Sequence, residues 1–193
     1  MKNLEASFSI FTMKGVLPFL LRGVAFTVVI SAVAVLVGVV FGYLLAIARN
    51  YCTKKDNRIL GILATLYIEL FRNTPLLLWI FICLVFLPIP GFLKRKMLGL
   101  SSVEAGLLFK GAFALILFES SVIAEIVRGG LNAIPAGQFE AAKSQGFSSV
   151  QTMIYIILPQ VYHKIVPTLL SQVISTIKDS SYLANIAIIE LMA

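Results

Sequence analysis

Glu69 and Arg72 stand three residues apart, and Glu125 and Arg128 repeat that spacing, in a chain dominated by Val, Leu, Ile and Phe. At that spacing two side chains share a helix face, so each acid can close an ion pair with the base that follows it. Glu119 has no such sequence-local partner. A charged side chain at the centre of a bilayer costs about 2.5–3.5 kcal/mol on insertion scales, so residues of this kind turn inward and find partners or mark a polar path. A second polar set recurs every four residues at Lys164, Thr168, Gln172 and Thr176, widened by Ser171, Ser175 and Lys178, with Asp179 next in line. A helix surrounded by lipid would not carry that stripe, so it faces protein or water. Structural hydrogen bonding and a transport path both fit it.

The same inventory argues against bond-breaking chemistry. His163 is the one histidine, and neither HExxH nor GxSxG occurs, so a nucleophile with its base, or a metal site, is not in view. Cys52 and Cys83 form no ligand-like cluster. The phosphate-cradling GxxxxGK[ST] pattern is missing, so this chain is not itself expected to hydrolyse nucleotide.

The elements that position these residues follow from composition. The chain has 193 residues, 59% hydrophobic and 13% charged, with a mean hydropathy of +0.96. Soluble domains carry about 25% charged residues, and a chain this short has too little interior to hide so much apolar surface. Lipid is the natural solvent, and the net charge of +7 suits loops flanking a membrane rather than nucleic acid. About four spans are expected, at 23–48, 59–88, 103–127 and 164–186, in a single all-α domain over 1–193. An interfacial helix at 9–21 is expected to lead into the first. Charge does not set the orientation. Arg49, Lys54, Lys55, Arg58, Arg128, Lys143 and Lys164 on one side balance Lys2, Lys14, Arg22, Lys94, Arg95 and Lys96 on the other. Within the first span Ala34, Gly38, Gly42 and Ala46 form a stripe of small residues, suited either to a dimer seam or to packing within the chain.

Between the third and fourth spans, the region 134–160 turns polar. Residues 138–145 read as a short helix, Gly146 as its left-handed stop, Ser148 and Ser149 as caps for the next helix, and Pro159 as a break or kink in it. Such a helix buries little of its own surface and invites a partner.

Glu140-Ala141-Ala142, three residues, Gly146, nine residues, and Ile156-x-Leu158-Pro159 resemble the EAA signature of the membrane subunits of bacterial ABC importers. YIELFRNTPLLL at 67–78, IAEIVRGGLNAIPAGQFEAAKSQG at 123–146 and ISTIKDSSYLANIAIIEL at 174–191 are similar to the polar amino acid permease branch. LPFLLRGVAFTVVISAVAVLVGVVFGYLLAIAR in the first span extends the likeness over nearly the whole chain. The resemblance implies the helical bundle of a type I importer transmembrane domain. It implies a coupling helix in which Glu140, Ala141, Ala142 and Gly146 seat against a separate dimeric ATPase, which binds the ATP, so this chain needs no cofactor. It implies an outer amino-acid-binding protein, a second permease subunit (identical or related), and a bacterial inner-membrane location with the N-terminus outside and the EAA loop in the cytoplasm. Glu69, Arg72, Asn73, Thr74, Glu119, Gln172, Thr176, Lys178 and Asp179 are the candidates to line or support the path. An ATP-independent channel and a non-transporting shortened permease are the rival readings. The family adds one further helix beyond the position of Ala193, so the last span is expected to be missing. Ser180-Ser181 stands where Thr-Ser is usual, Trp79 where Gln is common, and Glu119 is unusual in its place.

Overall fold

A computed structural model describes residues 16–51, 58–94 and 101–183. Its long elements are helices: α1 Val16–Tyr51, α2 Arg58–Arg72, α3 Leu76–Phe86, α4 Ser102–Asn132, α5 Ala136–Ser144, the short α6 Ser149–Gln151 and α7 Leu158–Asp179. A 3-10 turn at Gly91–Lys94 follows α3, and a π-helical stretch, Thr152–Ile157, joins α6 to α7. Among the described residues three segments are long and apolar enough to cross a membrane, Val16–Asn50, Ser102–Asn132 and Ser149–Leu183. The pair α2 and α3 makes a fourth if it is counted as one broken span. This is a multi-pass membrane protein. Residues 184–186 of the expected last span lie outside the described residues.

Three features depart from the sequence reading. First, 16–21 form the opening turns of α1 rather than a separate interfacial helix, and residues 9–15 of that expected element lie outside the described residues. Second, the expected span 59–88 is not one straight helix: α2 and α3 meet at a bend of 105°. Pro75 explains it, because it has no N–H for the carbonyl of Phe71 and adopts an extended conformation (φ −62°, ψ 137°) at the start of α3. Third, Pro159, expected as a break or kink, does not break the helix. The amide of Leu158 donates to Met153, five residues back, and this wider register carries the chain past the proline, which falls in the first turn of α7 where a missing N–H costs least.

Contacts fix the helix directions. A Cβ placed on Gly38 would lie 3.1 Å from Glu119, and one on Gly42 would lie 2.8 Å from Ile123, so α1 and α4 run side by side in the same direction. Gly130 packs on Ile165 and Val161 while Glu119 meets Gln172, so α7 runs opposite to α4. The small-residue stripe of α1, with Ala34 and Ala46 fully buried, therefore packs within the chain. Ala46, Ile68, Ile123, Val127, Ile157, Val161 and Ile165 form one core, and Ala34, Leu76, Ile80, Ala114, Leu115 and Leu183 another. Outward faces carry Leu36, Leu44, Leu66, Val85 and Phe86, as a lipid-facing bundle requires.

Proline also explains Lys110. The carbonyl of Leu84 would normally receive the amide four residues on, but Pro88 stands there. The Lys110 ammonium donates to that carbonyl instead, at 2.7 Å, and so ties α4 to the end of α3.

Candidate functional site

Ile134, buried, and Pro135 end α4 and set the start of α5, a helix of nine residues. Its far end is closed by Gly146 at φ +83°, a conformation in which a Cβ is strained. The amide of Phe147 donates to Ala142 (3.1 Å) and that of Gly146 to Lys143 (3.0 Å), the paired bonds of a Schellman stop. Ser148 and Gln151 then cap each other reciprocally and restart the chain as α6.

Of the four residues singled out here, Glu140, Ala141 and Gly146 are exposed, whereas Ala142 is 2% exposed. Ala142 is thus turned inward, where its small side chain lets α5 lie close to the π-helical stretch. The Glu140 carboxylate has no partner among the described residues, and Ser144 donates only to the Glu140 backbone carbonyl. Two bonds fasten α5 and its leading turn to α7: Gln160 Nε2 donates to Gln138 (3.0 Å), and Lys164 donates to the Ala133 carbonyl (2.7 Å). A short, outward-facing helix is therefore clamped between α4 and α7.

Above it lies an ion network joining three helices. Arg49, near the end of α1, donates to Glu125 on α4 and to Glu69 on α2, both at 3.0 Å. Arg72 reaches Glu125 at 3.8 Å, and Arg128 donates to both Glu125 oxygens through Nε at 2.9 Å. Glu125 and Arg128 thus pair as their spacing suggests. Glu69 and Arg72 do not pair with each other: the first goes to Arg49 and the second to Glu125, because α2 packs across α1 and α4. Asn73 donates to Glu69 at 3.2 Å. Thr74 donates to the Leu70 carbonyl (2.7 Å) and receives the Trp79 indole N–H (2.6 Å), while Trp79 stacks on Phe71 at 4.1 Å, so this group braces the bend.

A separate polar group joins α4, α7 and α1. Glu119 is fully buried, and Gln172 Nε2 donates to both its carboxylate oxygens, at 3.2 and 3.1 Å. Thr176, also fully buried, donates to the Gln172 carbonyl, and Ser31 of α1 donates to the Thr176 carbonyl at 3.5 Å. Lys178 is exposed and Asp179 half-buried, and neither side chain closes a hydrogen bond or ion pair among the described residues. The structure therefore brings Glu69, Arg72 and Asn73 into one network and Glu119, Gln172 and Thr176 into another, rather than all into one pocket. Sequence reasoning missed Arg49, Ser31 and Tyr67, whose hydroxyl lies 2.9 Å from the Leu117 carbonyl and 2.8 Å from Ser120 Oγ. Arg49, the first charge after a long neutral run, was the available signal.

Comparison with known proteins bears on this arrangement. Residues 38–191 match the family described as binding-protein-dependent transport system inner membrane component. The chain is 35% identical over 176 residues to the probable glutamine ABC transporter permease protein GlnP of Bacillus subtilis, covering 91% of this chain and 74% of that one. It is 36% identical over 168 residues to the glutamate/aspartate import permease protein GltK of Escherichia coli O157:H7, covering 86% of this chain and 70% of the relative. A solved structure, an amino acid ABC transporter with histidines, superposes with a TM-score of 0.73 at 28% identity, over 94% of this chain and 76% of its own. The chain belongs to the family of binding-protein-dependent transport system inner membrane components and is a permease subunit of an ATP-driven importer, a transport component rather than an enzyme.

Proposed function

We propose that the cargo is a polar amino acid and that α5 is the coupling helix through which a separate ATPase dimer drives its passage. The carrying observation is the build of α5: Glu140, Ala141 and Gly146 lie open on its outer side, while Ala142, Gln138 and the turn before it fasten its back to the bundle. A surface that is polar outside and clamped inside suits a lever. Closure of two ATPase subunits on ATP would move two such helices, and each would carry its α4 and α7 with it, rocking the permease pair between inward- and outward-open states. ATP is bound by the partner subunit. The chain's relatives support the substrate class, since the permeases described above are named for glutamine or for glutamate and aspartate.

In this reading α5 and the C-terminal end of α1 face the cytoplasm and the N-terminal end of α1 faces outside, where an amino-acid-binding protein delivers the cargo. The shared direction of α1 and α4 supports placing both of their C-terminal ends on one side. A second permease subunit, identical or related, completes the path. Arg72, Asn73, Lys178 and Glu69 are open enough to meet cargo, Thr74, Asp179 and Gln172 stand at the edge, and the buried Glu119 and Thr176 support them. Uptake by reconstituted permease, ATPase and binding protein tests this. Glu140→Lys and Gly146→Asp are expected to abolish ATP-driven uptake while the permease still inserts in the membrane. Full uptake by either well-inserted variant contradicts it.

A further inference from the structure

The Gln172 amide is held at one end only. Its nitrogen spans both oxygens of Glu119, at 3.2 and 3.1 Å, and its carbonyl oxygen has no hydrogen-bond partner among the described residues. No buried side-chain nitrogen or oxygen there lacks a partner, so this unpartnered oxygen is reachable from outside the packed interior. Which end of a glutamine amide faces a neighbour is fixed by chemistry. An ionised carboxylate offers only acceptors, and with both Glu119 oxygens accepting from the amide the NH2 end faces Glu119 and the carbonyl end faces away. The exposed residues of the same helix face show the same polarity. Ser171 donates to the Pro167 carbonyl (3.1 Å) and Ser175 to the Ser171 carbonyl (3.2 Å). Their hydroxyl protons are committed to backbone, which leaves lone pairs outward. Glu119 itself stays hidden: its Cβ sits against Gly38 of α1, and its carboxylate is wholly buried.

We propose that Glu119 is a positioning residue for the path: by engaging the amide nitrogen of Gln172 it presents the Gln172 carbonyl oxygen as a fixed acceptor for the ammonium or other N–H group of the cargo. This rests on the path assignment made above. Gln172 would contact cargo, and Glu119 would act only through it. The polar face of α7 then receives the donor end of a zwitterion.

The test uses the complete transporter in proteoliposomes, offered labelled glutamine, glutamate and histidine, with the wild-type complex and the cargo it carries best as reference. Gln172→Leu is expected to raise KM by about tenfold to a hundredfold, the worth of one hydrogen bond to a charged group. Glu119→Gln, close in shape but able to accept from or donate to the amide, is expected to raise KM by several-fold, with little change in kcat. Glu119→Gln combined with Gln172→Leu is expected to match Gln172→Leu alone, because the first acts through the second. The amount of assembled complex, read by size-exclusion chromatography, separates misfolding from altered binding. Two independent, additive losses would overturn the proposal, as would a Glu119→Gln effect confined to kcat or an unchanged KM in Gln172→Leu. If the wild-type complex carries none of these cargoes in response to ATP, the reading of function fails instead.

Discussion

Arg49 Nη1 lies 3.0 Å from Glu125 Oε2, and this bond ties the end of α1 to α4 just before the turn into α5. Glu125 is the shared acceptor for Arg49, Arg72 and Arg128, so its loss leaves three guanidinium groups facing one another. Glu125→Ala is expected to lower the stability of the purified permease by about 2–3 kcal/mol, in the range for hydrogen bonds to charged groups. Arg72→Ala, at the longest and most open of these contacts, is expected to cost under about 1 kcal/mol. Thermal unfolding in detergent checks the order, and equal midpoints for the two variants would remove the hub role of Glu125.

Gly42 sets the closeness of α1 and α4. A Cβ there would meet Ile123 at 2.8 and 2.9 Å and the Ala124 backbone nitrogen at 3.0 Å, and backbone does not yield. Gly42→Leu is expected to destabilise by about 1–3 kcal/mol through overpacking. Gly23→Ala, with nothing within 4 Å of the added carbon, is expected to be neutral or slightly stabilising. Comparing folded yields from membranes with thermal midpoints measures both. A harmless Gly42→Leu would contradict the packing described.

Two glycines near α5 give a sharper contrast. Gly146, at φ +83°, closes the helix, whereas Gly137 lies within α5 with open space beside it. Gly146→Ala is expected to cost about 1–2 kcal/mol for the left-handed conformation and to reduce uptake without removing the protein from the membrane. Gly137→Ala is expected to leave both stability and uptake near wild type. Parallel uptake and thermal-shift measurements decide it, with equal behaviour of the two variants as the contrary result.

The bend between α2 and α3 depends on Trp79, which stacks on Phe71 and donates to Thr74. Trp79→Ala is expected to cost about 2–3 kcal/mol, from lost aromatic burial and one hydrogen bond. Trp79→Phe, which keeps the ring stack, is expected to recover about half of that loss. Chemical denaturation or thermal shift reads the difference, and a Trp79→Ala midpoint at the wild-type value would show that the bend needs no brace.

Local chemistry was legible in the sequence where its causes were local. The run from Gly23 to Ala48 announces a span, Gly146 and Ser148 announce a stop and a restart, and Glu125 with Arg128 announces a pair. What was not legible depended on long-range packing. Glu69 and Arg72 sit at pairing distance along one helix, yet each finds a partner on another, since α2 packs across α1 and α4 and brings Arg49 and Glu125 within reach. The partner of Glu119 lies 53 residues away, on a helix whose register at that point depends on the π-helical stretch before Pro159. Pro75 and Pro159 look alike in sequence, but one bends the chain and the other is absorbed, because only at Pro159 does a preceding wide turn take up the missing donor. The inward turn of Ala142 was equally hidden, for an EAA stretch does not say which alanine faces the bundle.

We propose that α5 faces the cytoplasm as the point of ATPase contact. Ser144 lies exposed at its end, so a cysteine placed there, in a permease lacking Cys52 and Cys83, reports the side directly. A membrane-impermeant maleimide applied to intact cells is expected to leave Ser144→Cys unlabelled and to modify it once the inner membrane is opened, with added ATPase subunit protecting it. Labelling of that cysteine from outside intact cells would contradict the account.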